Sequence, residues 1–443
     1  MRFFESLLSK RAITRLQAII LAIIIIVAVS GGIVYYYISL PGPAAEKETI
    51  KIGLICAFGT PYGDSEKAAL EIGVEEINAM GGILGRRVEL VVEDWKREVP
   101  LAVAAYRKLV MTDGCLLVIT EGTEGTTACR EEAVKLYPEY PHIQFCLWTA
   151  AQGVTMDVLP SQWEKYKFLF RIYPHTGMTW EPDNIRDLVS GLKKMGAGKL
   201  ALVIEDIAWT EPYITGAPQY GWPPLKDLLE ANGIPVVFFA KNAIGEKMFL
   251  PIFEQIAASG ADVIYWVTGY TDTVTLAKQW AESPAKNLPI LSQSGACSYR
   301  TFWNMTDGAC LGWVTMYPEI DIPFTNKTKT FLEKLRAKGV GYLASTAGAY
   351  ETPYVLKAAI EKVGSVKNVD AIIEALEAVR VQNAFWTWKF DEHHNPVYGY
   401  PYYTIPWGQF QKDGKFVVVN PEEIRALTNP QDNFIPVKVL RGG

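Results

Sequence analysis

The chain has 443 residues, of which 49% are hydrophobic and 21% are charged, and its formal net charge is -5. This mild charge comes without a block of basic residues, so nucleic acid is excluded as an expected partner. The length is too great for one small core and suits two lobes.

A long uncharged stretch lies near the N-terminus. Residues 16–45 carry no charge, and residues 16–40 would span roughly 37 Å as a helix, which is enough to cross a bilayer. Basic residues precede this stretch and acidic residues follow it: Arg2, Lys10, Arg11, Arg15, Glu46 and Glu48. The positive-inside rule therefore predicts a cytoplasmic N-terminus (1–15), a single-pass transmembrane anchor, a linker (41–48) and a domain outside the cell membrane. A cleaved secretory signal is the alternative interpretation.

The segment after the linker has the pattern of a βαβ unit. Residues 50–57 (IKIGLICA) are apolar enough for a strand that is buried on both faces. An amphipathic helix beginning near Asp64 and a glycine-rich turn at 81–85 lead to a second strand, residues 88–92. Because a helix returns the chain between the two strands, a parallel sheet is expected.

The motifs of this unit resemble those of a known family. They are a strand, PYGD (61–64), a helix, INAMGGILGRRVEL (77–90) and an acidic strand end. This order resembles the opening of type I periplasmic binding proteins, and in particular the leucine/isoleucine/valine-binding proteins of branched-chain amino acid ABC importers. The resemblance implies an α/β fold of two Rossmann-like lobes joined by a three-segment hinge, with an ABC permease and ATPase as partners. Residues 11–14 also resemble the class III signal of archaeal binding proteins, whose cleavage would leave the hydrophobic helix in place.

Apolar strands alternate with helical stretches along the rest of the chain, which is the pattern of an α/β fold. The predicted strands are 116–120, 142–147, 200–205, 235–240, 263–268 and 288–292. Three segments look like crossings between the lobes: 168–173, 312–317 and 386–391. Lobe one is then expected at 49–170 and 317–388, and lobe two at 171–316 and 389–443.

Six cysteines follow the N-terminal stretch, and none forms a CxxC pair. An even number in an exported domain favours disulfides over metal or redox chemistry, but spacing alone leaves the connectivity open. Cys297 and Cys310 flank one short segment and are the best single candidates for a pair. Buried free thiols are the alternative.

The residues just after each predicted strand are candidate ligand contacts, because open α/β sheets bind ligands outside the carboxyl ends of their strands. Glycines and hydroxyls at 121–127 open a helix, and free backbone N–H groups there can bind an anion such as a carboxylate. An ordinary N-cap is the alternative. In the family, a serine- and threonine-rich loop at this place holds the ligand's carboxylate, which implies Thr123, Thr126 and Thr127 as donors. Glu124 stands where the family has a serine and weakens this prediction.

Further positions match ligand contacts of the family. Trp148 and Thr149 follow a strand, at the place of the second ligand-contacting loop. Aromatic residues stand where the family lines its pocket: Tyr62, Trp209, Tyr270 and, with a looser alignment, Tyr350. For each aromatic residue taken singly, packing in the core is the alternative.

One position departs from the family in a way that bears on the ligand. Ser294 stands where the amino acid binders have a glutamate that pairs with the ligand's ammonium group. A buried ammonium without a carboxylate costs on the order of several kcal/mol. The carboxylates considered as substitutes are Glu205, Asp206, Asp272 and Glu124. Amides, urea-like compounds, aromatic acids and short peptides become alternatives to a branched-chain amino acid.

Catalysis finds no support in the sequence. The four histidines have no metal-binding spacing, and no phosphate-binding P-loop or G-x-S-x-G nucleophile elbow occurs. The expected function is that of an extracytoplasmic substrate-binding protein of an ABC importer, without cofactor or metal, which captures a small polar solute by hinge closure. A membrane-anchored ligand-sensing ectodomain of the same fold is the alternative.

Overall fold

The computed structural model describes residues 19–20, 22–31, 48–149, 153–156, 162–173, 180–316, 321–428, 430–431 and 433–442. Residues 19–20 and 22–31 are helical and exposed. Within the described ranges, no helix is both long and apolar enough to cross a membrane. The predicted cytoplasmic segment 1–15, and most of the predicted anchor 16–40 and linker 41–48, lie outside the described residues. The fold described below is that of the unit from Thr49 to Gly443.

Five strands form an all-parallel sheet: β1 (Ile50–Cys56), β2 (Val88–Asp94), β3 (Leu117–Glu121), β4 (Ile143–Leu147) and β5 (Leu169–Arg171). Their order across the sheet is β2-β1-β3-β4-β5. Every residue of β3 and β4 is buried. This explains why the corresponding runs of the sequence are predominantly apolar, as strands covered on both faces require. The predicted parallel sheet is confirmed.

Seven strands form a second sheet: β6 (Leu200–Glu205), β7 (Val236–Asn242), β8 (Val263–Val267), β9 (Ile290–Gln293), β10 (Val314–Met316), β13 (Trp407–Phe410) and β14 (Phe416–Asn420). Their order is β14-β13-β10-β9-β8-β6-β7. Strands β6 to β10 are parallel, whereas β13 pairs antiparallel with β10 and β14 antiparallel with β13. The sequence pattern does not predict these last two strands, which follow a stretch rich in tyrosine and proline (398–406). Two short strands, β11 (Val381–Gln382) and β12 (Thr387–Trp388), pair separately.

The helices from Thr49 onward cover these sheets and connect their strands. They are α1 (Pro61–Ala79), α2 (Val99–Arg107), α3 (Thr123–Leu136), α4 (Gly153–Met156), α5 (Trp163–Tyr166), α6 (Pro182–Lys194), α7 (Glu211–Thr215), α8 (Leu225–Ala231), α9 (Leu250–Ala258), α10 (Thr273–Glu282), α11 (Phe302–Met305), α12 (Asn326–Ala337), α13 (Thr346–Val363), α14 (Val369–Glu377), α15 (Glu422–Thr428) and α16 (Val437–Leu440). The alternation of strand and helix predicted from the sequence is confirmed.

Helix α1 begins at the PYGD motif, three residues before the predicted start. The Oγ1 of Thr60 accepts a hydrogen bond of 3.2 Å from the backbone N–H of Gly63, and Pro61 fills a position where a missing N–H costs nothing. Gly63 also lies against the end of β1, where a Cβ would stand 2.2 Å from the carbonyl oxygen of Ala57. This close approach places Tyr62 at the carboxyl end of the sheet.

The cysteines do not form the predicted pair. All six are free and buried. The Sγ of Cys297 lies 3.8 Å from the Oγ of Ser292, and burial raises the pKa of the Cys297 thiol to about 12. The expectation of a bond between Cys297 and Cys310 is therefore wrong, because both side chains are packed as small apolar groups in the core beside the second sheet.

Helix α13 ties together distant parts of the chain. Its Gly348 passes so close to the segment after β5 that a Cβ would lie 2.1 Å from the carbonyl oxygen of Ile172. One turn later, the Oε1 of the buried Glu351 accepts hydrogen bonds from the backbone N–H groups of Ala384 (2.9 Å) and Phe385 (3.0 Å). Burial raises the pKa of the Glu351 carboxyl group to about 7.

Glu351→Gln should change how the stability depends on pH. Glu351 has a usual pKa of 4.5, raised to about 7 by folding, so between these values the folded protein keeps a proton that the unfolded chain has lost, and stability falls as pH rises. Glutamine keeps the acceptor but does not titrate. The decrease in the free energy of unfolding between pH 5 and pH 7.5, measured by urea denaturation, should be smaller in the variant by about 2 kcal/mol. The exposed Glu374 of α14 supplies the control, Glu374→Gln, and equal slopes in all three proteins would contradict the prediction.

Gly348→Ala should destabilise the fold. The added methyl group has no room beside the carbonyl oxygen of Ile172, and such overpacking costs about 1–3 kcal/mol. Gly341→Ala is the matched control, since no heavy atom lies within 4 Å of a Cβ there. Urea denaturation measures both variants. An unchanged stability of Gly348→Ala would mean that the helix can move away from the strand without cost.

Candidate functional site

Aromatic side chains gather at the carboxyl ends of the parallel strands. The rings of Tyr62, after β1, and Trp148, after β4, are stacked with centroids 5.4 Å apart. Trp148 also lies 6.0 Å from Tyr342, which in turn lies 4.8 Å from Tyr299. Tyr299 follows β9, so this row of rings connects the ends of both sheets.

The backbone is strained where it presents the tryptophan. Trp148 has a φ of 43°, in the left-handed region that residues with a Cβ rarely adopt and that costs of the order of 1–3 kcal/mol. The indole ring lies close to three other rings, those of Tyr62, Tyr173 and Tyr342. The sequence could show a tryptophan after a strand but not its direction.

Arg97 bridges the two sheets, although the sequence analysis did not identify it. Its Nη1 donates a hydrogen bond of 2.7 Å to the hydroxyl of Tyr62, and its Nη2 donates one of 3.3 Å to the hydroxyl of Tyr270. The guanidinium carbon lies 5.6 Å and 5.7 Å from the centroids of these two rings, within the range of a cation–π contact. Tyr62 follows β1 and Tyr270 follows β8, so one side chain contacts both predicted pocket walls. Nothing in the sequence distinguishes Arg97 from its neighbour Lys96.

The predicted threonine donors fall into two groups. Thr126 and Thr149 are buried, and the Oγ1 of Thr126 lies 3.0 Å from the Oγ1 atoms of both Thr120 and Thr149. These hydroxyls therefore join the ends of β3 and β4 to each other. Thr123 is partly exposed at the first residue of α3, and Glu124 beside it is exposed.

A buried carboxylate holds the loop that carries Tyr270. The Oε2 of Glu205, at the end of β6, accepts hydrogen bonds from the backbone N–H groups of Gly269 (2.7 Å) and Tyr270 (2.9 Å). Its Oε1 accepts one of 2.9 Å from the hydroxyl of Thr271. Tyr270 itself remains 45% exposed. Glu205 thus positions an aromatic residue.

The two aspartates considered as partners of an ammonium group already have partners. Asp206 forms an ion pair of 2.7 Å with Lys241. Asp272 caps α10, accepting hydrogen bonds from the backbone N–H (3.1 Å) and the hydroxyl (2.7 Å) of Thr275. Burial raises the pKa of Glu121, at the end of β3, while the nearby Arg97 opposes that shift. The Oε2 of Glu121 accepts a hydrogen bond of 3.0 Å from the backbone N–H of Ala57.

The remaining predicted contacts differ in exposure. Trp209 is partly exposed and packs against the Tyr270 loop, where a Cβ at Gly269 would lie 3.0 Å from its indole nitrogen. Ser294 is buried, and its hydroxyl lies 2.6 Å from that of Thr273. Tyr350 is fully buried, with its ring centroid 4.1 Å from that of Phe331. In this structure Tyr350 is therefore a core-packing residue, which is the alternative that the sequence left open for each aromatic residue.

No metal-binding cluster accompanies these residues. Among the residues that the structure describes, no group of three or more histidine, cysteine, aspartate and glutamate side chains could hold a metal ion. The arrangement can offer hydroxyl donors, aromatic faces and one guanidinium group to a small molecule.

Comparisons with known proteins agree with this architecture. A model of the periplasmic binding protein family matches residues 49–408. The Leu/Ile/Val-binding protein BraC3 of Rhizobium johnstonii is 28% identical over 335 residues, covering 74% of this chain and 83% of that protein. The structure of the leucine-, isoleucine-, valine-, threonine- and alanine-binding protein of Brucella ovis, in a closed conformation, aligns with a TM-score of 0.68 at 15% identity over 84% of this chain and 95% of that one. An ABC transporter substrate-binding protein of Sphaerobacter thermophilus aligns with a TM-score of 0.67 at 21% identity over 84% and 97%.

Glu205→Gln should loosen the Tyr270 loop. An NH2 group would replace one of its two carboxylate oxygens and could not accept the hydrogen bond made there, and the other oxygen would lose its charge; a lost bond to a charged acceptor costs about 1.5–3 kcal/mol. Urea denaturation should show a free energy of unfolding lowered by about that amount. The neighbouring Asp206→Asn removes an exposed ion pair, which is worth at most about 1 kcal/mol. If the free energy of unfolding falls equally little in both variants, Glu205 does not hold the loop.

Proposed function

The chain belongs to the periplasmic binding protein family, and from this premise we propose that it is the substrate-binding protein of an ABC importer, acting outside the cytoplasm. It captures a small solute between two lobes and delivers it to the permease and ATPase subunits. The observation that carries the proposal is the bridge from Tyr62 through Arg97 to Tyr270, since it joins the binding edges of the two sheets. The family consists of binding proteins, and the chain is not an enzyme.

The proposed mechanism is hinge closure. A solute that touches residues of both lobes makes all of its contacts only when the lobes are closed, so its differential affinity shifts the open–closed equilibrium toward the closed form. We assign lobe one to 49–170 and 317–388, and lobe two to 171–316 and 389–443. Support comes from the strand sets of the two sheets and from β13 and β14, which join the sheet of the second lobe.

The proposed site uses the predicted residues in three roles. Tyr62, Trp148, Trp209 and Tyr270 form aromatic walls, supported by their partial exposure at strand ends. Thr123 and Glu124 form the polar rim at the start of α3. The buried Thr126, Thr149 and Ser294 form hydrogen bonds beneath the loops that carry these walls. The buried Tyr350 supports α1, which carries Tyr62, by donating a hydrogen bond of 2.7 Å to Glu76.

Residues 16–40 are proposed to anchor the protein in the cell membrane, with residues 41–48 as a spacer. Support comes from the helical residues 22–31, whose isoleucine and valine side chains are exposed, as with Ile24 at 57% and Ile26 at 65%. A helix whose apolar side chains are exposed suits a lipid environment. This arrangement would keep the binding domain beside its permease.

Solute binding is tested by thermal unfolding of the full-length protein with a panel of amino acids, amides, ureas, aromatic acids, sugars and short peptides. A ligand that binds only the folded state should raise the melting temperature, with about 2.7 kcal/mol of stabilisation at a concentration of 100 times Kd. Trp148→Ala should weaken binding of any hit about tenfold or more, since it removes a stacked aromatic wall.

The matched control is Trp303→Ala, which removes a tryptophan that packs beside Gly308 and Gly414. It should leave the affinity for the hit unchanged. A panel without any stabilising compound, or equal affinity of the wild type and Trp148→Ala, would contradict the proposed function or its site.

A further inference from the structure

Arg97 carries a charge that no neighbouring carboxylate neutralises at short range. Its two hydrogen bonds go to the neutral hydroxyls of Tyr62 and Tyr270. Over the described parts of the chain, no carboxylate lies within ion-pair distance of its guanidinium group, and Glu121 acts on it only from farther away. A guanidinium group has five N–H donors. Once water is excluded, neutral acceptors do not compensate the cost of burying its positive charge.

The backbone holds Arg97 at the proposed binding edge. Trp95, two residues earlier, is buried and packs on the start of α3, where Cβ atoms at Gly122 and Gly125 would lie 3.4 Å and 3.1 Å from its ring. Arg97 itself has a φ of 61°, which turns the chain sharply after β2. The guanidinium group therefore stands over the opening between the sheets on a short, anchored loop.

Most carboxylates around the proposed site already form hydrogen bonds or ion pairs within the protein. Glu205 and Asp272 accept hydrogen bonds from backbone N–H groups and hydroxyls, and Asp206 pairs with Lys241. Asp94 accepts hydrogen bonds from the backbone N–H groups of residues 58 and 96. An ammonium group entering the site would have to displace one of these partners or pair with the exposed Glu124 at the rim, whereas an anion could pair directly with Arg97.

We propose that Arg97 binds the carboxylate of the solute, and that the solute is a monocarboxylate with an apolar body and no ammonium group. The inference rests on the proposed function and names its substrate class. Guanidinium and carboxylate groups pair through two parallel hydrogen bonds, which are about twice as strong as neutral ones. The stacked rings of Tyr62 and Trp148 offer an apolar face to the rest of the molecule.

The proposal also gives Arg97 a part in closure. The same guanidinium group contacts both Tyr62 and Tyr270. A carboxylate bound to it would therefore be linked through Arg97 to residues after β1 and after β8 at the same time. The solute would then stabilise the closed form through a single charged contact, which is the differential affinity that hinge closure requires.

The test compares solutes that share one skeleton. Isothermal titration of the full-length protein uses 4-methylpentanoate, 4-methylpentanamide and leucine, then 3-phenylpropanoate, 3-phenylpropanamide and phenylalanine. Within at least one series, the carboxylate should bind about tenfold or more tightly than both the amide and the amino acid, as expected for a hydrogen-bonded charge pair. The ratio of affinities within a series cancels differences in apolar burial.

Variants of Arg97 separate carboxylate binding from a purely structural role. Arg97→Gln should abolish the preference for the carboxylate over the amide, and Arg97→Lys should retain part of it. Lys96→Gln is the matched control, because it removes the adjacent exposed charge and should leave the ratio unchanged. If Arg97 were only a structural bridge between the tyrosines, Arg97→Gln would instead weaken the binding of all solutes of a series equally.

Three outcomes would overturn the inference: tighter binding of an amino acid than of its carboxylate, an unchanged ratio in Arg97→Gln, or no binding by any of the compounds. The first would leave the proposed function intact and would make Glu124, the exposed carboxylate at the start of α3, the candidate partner of the ammonium group. The wider panel described above tests the proposed function separately, so the two failures are distinguishable.

Discussion

Parallel strands place all of their carboxyl ends at one edge of a sheet, and this geometric constraint locates the candidate site. Loops that are far apart in the sequence meet there because each follows a strand of the same direction. Tyr62 and Trp148, separated by more than eighty residues, stack face to face for this reason. In the second sheet, the strands that carry Trp209 and Tyr270 are hydrogen-bonded neighbours, so these two residues also share an edge. Without the parallel order, the same residues would lie at opposite ends.

Buried glutamates then fix the loops that leave this edge. Glu121 and Glu205 accept hydrogen bonds from backbone N–H groups at this edge, and Glu351 holds residues 384 and 385 in the same way; none of these bonds involves a cation. Such groups are costly to bury, as the raised pKa values of Glu121 and Glu351 indicate. The cost is offset because loop N–H groups that would otherwise lack partners are satisfied. The segments after β1 and β8 are therefore held by hydrogen bonds, while Tyr62 and Tyr270, which follow these strands, remain partly exposed to solvent.

The proposed closure depends on the balance between these rigid loops and one adaptable side chain. The rings are positioned by strands and buried carboxylates, whereas Arg97 reaches them through a long, exposed side chain. A contact of this kind forms and breaks more easily than core packing, so it can respond to a solute. In the proposed mechanism, the sheets supply fixed walls and Arg97 supplies the charge whose interaction energy depends on whether a solute is present.

The sequence by itself determined the fold class and the positions of most strands, because continuous apolar runs of five to eight residues between helical stretches specify buried parallel strands. It also located Tyr62, Trp148 and Tyr270 after strands. It could not show that Cys297 and Cys310 remain thiols. Tertiary structure also decided that Glu205 serves a loop and that Tyr350 lies in the core, since both depend on packing partners far away in the chain. Arg97 is the clearest case: its contacts join residues 35 and 173 positions away, and such a meeting exists only once both sheets have formed.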